Sequence, residues 1–208
     1  VGPEVAACLL ALAAGAYDPQ IDTAVRPWSG LALDVSVQRL HDDFGLALGV
    51  TSPRFLDERL AVRLAGGVGW YPDLRAVPDT TAASDETFGP WSTYGHLRLT
   101  VDFAIPLAIP IGRLYAAAGP SLVVLAKNLS TTRVAPGGFG FVGIELFAGD
   151  GLQTFPVAFF FQVGGVAHAA SADVERRTGT PVASETAVNR AVATGFAMEG
   201  GVRFYGWR

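Results

Sequence analysis

The sequence predicts an all-β protein, an eight-stranded antiparallel up-and-down transmembrane β-barrel, and three observations predict it. From about Ser29 to the C-terminus, stretches of about ten residues carry an apolar side chain at every second position, with Gly, Ala or charged residues between. Eight such stretches can be marked off between turn signals. The connections between them alternate short and long, as they do when strands run up and down between the two ends of a barrel.

Element by element, residues 1–16 hold the apolar run Val5 to Ala16, which ends on the small residues Ala14, Gly15 and Ala16. This is the centre and cleavage region of a secretory signal peptide without its basic start, so the segment is expected to be a signal-peptide remnant or a short N-terminal helix. Residues 17–28 follow as an N-terminal periplasmic segment, and 29–208 form the barrel domain. The expected strands cover 29–40, 43–52, 58–72, 91–107, 112–127, 138–149, 155–171 and 187–206. Several exceed the usual five or six residues of globular strands and suit the 9 to 11 that a tilted strand needs to cross a bilayer. The clearest is His96-Leu97-Arg98-Leu99-Thr100-Val101-Asp102-Phe103. Its pleat sends Leu97, Leu99, Val101 and Phe103 to one face and His96, Arg98, Thr100 and Asp102 to the other.

Short turns fall at 52–57, 108–111 and 150–154, and longer polar loops at 73–90, 128–137 and 172–186. The first connection, around His41 and Asp42, is short where the alternation calls for a long one. In bacterial outer-membrane barrels the short turns are periplasmic.

Composition narrows the function classes. Half the chain is hydrophobic and 16% charged, against about a quarter charged in soluble domains. Val5 to Ala16 is too short for a spanning helix. The net charge of −4 and the single lysine, Lys127, leave no basic stripe for nucleic acid. One cysteine, Cys8, cannot form an internal disulfide.

With its strand count, turn alternation and aromatic-bearing last strand, Glu199-Gly-Gly-Val-Arg-Phe-Tyr-Gly-Trp-Arg208, the chain resembles the eight-stranded outer-membrane barrel family typified by the outer-membrane protein A transmembrane domain. It departs from that pattern by closing on Arg208 and by placing Gly206 where an aromatic is usual. The resemblance implies insertion by the barrel-assembly machinery into the outer membrane of a Gram-negative cell, with outer-membrane lipid around the wall. Trp70, Tyr71, Phe204, Tyr205 and Trp207 are the expected interfacial aromatics.

With the apolar residues toward lipid, the inward set includes Asp34, Arg63, His96, Arg98, Asp102, Glu145, Glu199 and Arg203, separated by small residues such as Ala47, Gly49, Gly143 and Gly195. An eight-stranded barrel is just wide enough for side chains to fill, so these charges are expected to pair as an ionic plug.

No catalytic, cofactor or metal residues are assigned. His168 and Ser171 are three apart and so on opposite faces of a strand. The three histidines lack ligand spacing, and the Gly-rich stretches 65–69 and 136–140 lack the Lys-Ser/Thr pair of a phosphate loop. The expected function is therefore non-enzymatic, with a structural, adhesive or partner-binding role through the exposed loops, where a protein partner would bind. Two alternatives stand beside it. One is a transporter or narrow pore for small or hydrophobic solutes. The other is a soluble lipocalin-like ligand-binding barrel with the faces inverted, against which the small alternates argue, since a soluble exterior is rich in Lys and Glu.

Overall fold

A computed structural model describes residues 30–40, 43–71, 74–76, 92–106, 112–126, 133–148, 156–176 and 188–206. The expectations for residues 1–16 and 17–28, for Trp207 and for most of the long loops lie outside these. Eleven strands are found among the described residues: β1 (Ala32–Leu40), β2 (Asp43–Thr51), β3 (Leu60–Tyr71), β4 (Leu74–Ala76), β5 (Ser92–Pro106), β6 (Gly112–Leu125), β7 (Val134–Ala148), β8 (Val157–His168), β9 (Ser171–Arg176), β10 (Val188–Ala191) and β11 (Gly195–Tyr205). Eight close into a barrel in the order β1-β11-β8-β7-β6-β5-β3-β2, each antiparallel to its neighbours. Closure pairs the first strand with the last, Ala32 opposite Tyr205 and Leu40 opposite Ala197, and leaves the barrel wall without an open edge.

The sequence alternation becomes an alternation of burial, strict along β1 and β2. Outward positions carry Leu33, Val35, Leu46, Leu48, Leu64, Leu97, Leu99, Val101, Val142, Phe159, Phe161 and Phe196, all largely exposed. Among the described outward residues of the eight wall strands, Arg39 is the one charge, and it lies at a strand end with its guanidinium 5.4 Å from the Phe44 ring. Inward positions carry the other ionisable side chains and aromatics such as Tyr94, Tyr115, Phe141 and Phe160, packed between alanines and glycines.

Three boundaries differ from the sequence reading. β7 starts at Val134, four residues before the expected 138, because Pro136 faces outward and the Pro-Gly-Gly run that reads as a turn is accommodated in the wall. The expected strand 155–171 holds β8 and reaches only the first residue of β9, which continues into the expected loop as far as Arg176, and 187–206 divides into β10 and β11 around Ala193, whose φ of 53° is left-handed.

A further difference adds a sheet. β4, β9 and β10 form a separate sheet in the order β10-β9-β4; β4 and all of β9 but Ser171 fall in stretches read from the sequence as loops, and β10 in the expected last strand. β4 prolongs β3 and β9 prolongs β8, yet β3 and β8 stand four places apart in either direction around the eight-membered ring. The pairing of Leu74 with Arg176 and of Ala76 with Val174 therefore joins opposite sides of the barrel and carries this sheet across the mouth at the long-loop end.

Candidate functional site

The interior divides into three levels, each set by which inward residues the ladder brings to the same height. Nearest the short turns, Glu145 on β7 is the hub. Arg113 Nε lies 2.6 Å from its Oε2, Arg203 Nη1 lies 3.3 Å from its Oε1, and the Tyr205 hydroxyl donates to it. Arg203 Nε also donates to Asp34 at 2.5 Å, and Thr51 donates to the other Asp34 oxygen at 2.7 Å. The level thus links β2, β1, β11, β7 and β6. Arg54, in the turn after β2, closes it from below, its Nη1 donating to the Arg59 carbonyl at 3.3 Å. Burial first, and the charge of Arg113 second, draw the Arg54 guanidinium down to about 10.

At the middle level Glu199 on β11 accepts from Ser36 at 2.7 Å, from Gln162 at 2.8 Å and from Arg98 at 3.0 Å. Arg98 also donates to Gln38 at 2.7 Å, and Tyr115 to Gln162 at 3.0 Å. β5 and β11 are opposite one another in the ring, so the Arg98–Glu199 bridge spans the full interior. The Arg98 guanidinium lies 5.6 Å from the Phe139 ring centre and 5.7 Å from that of Phe141, so it is flanked by aromatic faces as well as charge.

Arg63 crosses toward β8, 5.9 Å from the Phe160 ring. Asp102 is fully buried on the neighbouring strand, diagonal to Arg63, and neither of its oxygens accepts a hydrogen bond from a described group. Nor does either ring nitrogen of buried His96 have a hydrogen-bond partner there.

The third level, under the mouth, is mostly apolar: Leu40, Tyr71, Val123, Leu125, Ala135, Val166, Ala170 and Val192. Two polar groupings are set into it. The Tyr94 hydroxyl donates to Asp43. His168, at the end of β8, places Nε2 2.9 Å from Ser121 Oγ on β6 and Nδ1 2.6 Å from the Ala193 carbonyl. Ser171 is exposed and lies beyond this cluster on β9.

All eight sequence-expected lumen residues are therefore inward and buried, with Asp34, Arg98, Glu145, Glu199 and Arg203 in ion pairs. The aromatic assignments need correction. Trp70 and Phe204 face outward, but Tyr71 and Tyr205 face inward, because each has the parity of the buried set and its hydroxyl finds a partner there. Arg113, Asp43, Gln38 and Gln162 also belong to the interior. Arg113 could have been found from its parity with Tyr115 and Ala117 on the same strand.

No family model and no curated protein matches the chain. Among solved structures, the N-terminal β-barrel domain of OprF from Pseudomonas aeruginosa is similar at 12% identity and a TM-score of 0.41, over 85% of this chain and 96% of that one.

Proposed function

We propose that the chain is an outer-membrane barrel whose wall sits in hydrocarbon and whose role is anchoring or binding a partner at the mouth end. The carrying observation is the reversal of the usual soluble arrangement. Charged side chains lie inside, and among the described residues the outer wall carries Leu, Val, Ile and Phe with one charge at a strand end. In water such a wall far exceeds the few hundred Å² of contiguous apolar surface that monomers tolerate, whereas in a bilayer it is the required surface. The transverse Arg98–Glu199 bridge argues against a wide pore.

The test is extraction in detergent followed by electrophoresis with and without boiling. A compact, detergent-resistant form that shifts only on boiling is the expected result. A water-soluble monomer without such a shift would overturn the membrane reading in favour of a soluble ligand-binding barrel.

A further inference from the structure

We propose that Ser121 and His168 form a nucleophile and general base under the barrel mouth, a site that cleaves short, water-borne carboxylic esters. The two residues sit on β6 and β8, which are separated by β7. They meet because the residue between them is Gly137, paired with Ser121 on one side and with His168 on the other. A Cβ at Gly137 would overlap the His168 ring, so only glycine lets the imidazole lie across β7 and reach Ser121.

The ring is also oriented. A backbone carbonyl can only accept, so the contact to Ala193 O places the proton on Nδ1 and leaves the Nε2 lone pair to accept from the Ser121 hydroxyl at 2.9 Å. Ala193 holds its carbonyl there in a left-handed conformation, φ 53°, with its own N–H donating to the Tyr71 hydroxyl at 2.6 Å. The Thr194 hydroxyl accepts from the His168 N–H at 2.9 Å. Nucleophile, base and orienting acceptor thus come from three separate segments, the arrangement that activates a serine.

The donor for the developing oxyanion is assigned to the neighbouring strand. Arg98 is the cross-strand partner of Ser121. Its Nη1 and Nη2 are engaged by Glu199 and Gln38, while its buried Nε has no hydrogen-bond partner among the described residues. The neighbouring inward residues are apolar, Val123 two positions nearer the mouth than Ser121 and Val166 two positions deeper than His168. Because Ser121 faces the interior, a chain held in the surrounding lipid does not reach it, which selects a short soluble ester.

In the reaction Ser121 Oγ bonds to the ester carbonyl carbon as its proton passes to His168 Nε2. The bond to the leaving oxygen breaks, the leaving oxygen takes that proton, and an acyl-Ser121 and an alcohol result. Water then bonds to the acyl carbon, giving a proton to His168. The Ser121–acyl bond breaks, the proton returns to Oγ, and the carboxylic acid departs. This goes beyond the non-enzymatic expectation, and it holds whatever surrounds the wall.

The experiment treats the folded full chain with a fluorophosphonate probe and, separately, with p-nitrophenyl acetate. Expected are mass addition on the peptide containing Ser121, no addition to Ser121→Ala, and a fall in labelling rate of about a hundredfold in His168→Gln. Gly137→Ala, which keeps both reactive groups while its Cβ would meet both the His168 ring and the Ala167 carbonyl oxygen, should slow labelling to a similar degree. Ester hydrolysis should fall at least about tenfold in Ser121→Ala, with the fold of both variants checked by circular dichroism. Labelling at another serine, equal labelling of wild type and Ser121→Ala, or hydrolysis that survives Ser121→Ala would each overturn the proposal.

Discussion

Arg203 and Asp34 face each other directly across the seam between the last strand and the first, and their side chains meet inside the barrel at 2.5 Å. The ladder closes the ring, and this pair with the Ser36–Glu199 bond fixes its register from within. Breaking a buried pair by removing one partner costs about 3–5 kcal/mol, because the other charge is left without compensation. Arg203→Ala should lower the unfolding free energy by about that much. It should cost more than Asp34→Ala, since Arg203 also lies 3.3 Å from Glu145. Urea midpoints of the two variants in the same detergent test the order.

A charge on the outer wall separates the two possible surroundings. Leu99 lies midway along β5 and points outward. Leu99→Arg should destabilise a membrane-embedded barrel by about 2–4 kcal/mol, the cost of Arg near the bilayer midplane. Equal stability of this variant and the parent in lipid vesicles would contradict a lipid-facing wall.

Close packing makes one glycine a sensitive position. A Cβ at Gly69 would overlap the ring of Tyr94, whose hydroxyl serves Asp43. Gly69→Ala should displace that ring and cost about 1–3 kcal/mol, the usual range for overpacking. Thermal unfolding of the variant, alongside Gly140→Ala, where a Cβ meets nothing within 4 Å, provides the comparison.

The mouth can be loosened without opening the wall. Tyr71→Phe removes the acceptor of the Ala193 N–H and leaves a buried donor unsatisfied, at about 1–3 kcal/mol. Amide hydrogen exchange should accelerate at Ala193 and its neighbours while β1 to β3 keep their protection. Unchanged exchange at Ala193 would show that the bond contributes nothing to local order.

Much of the wall was legible because a barrel strand needs only a period of two, and His96 to Phe103 displays it without interruption. The same parity placed Asp34, Arg98 and Glu199 on one face, although parity says nothing of which partner each meets across the interior. Tyr71 and Tyr205 were misplaced because an amphipathic ring suits either a membrane interface or a polar lumen, and only the neighbouring strands decide. The mouth sheet escaped because β4 has three residues and its partner lies on the far side of the ring. The pairing of His168 with Ser121, and not with the Ser171 weighed from the sequence, escaped for a related reason, the two being 47 residues apart and joined across a glycine.

The sheet over the mouth also imposes a chronology on assembly. Each wall hairpin can form from strands adjacent in the sequence, but Leu74 waits for Arg176, about a hundred residues later in the chain. Until β8 has joined its neighbours there is no β9 for β4 to meet, so the nascent barrel stays unroofed through most of its construction. Being late and short, the roof is also the part that should let go first under load, long before the ring itself parts.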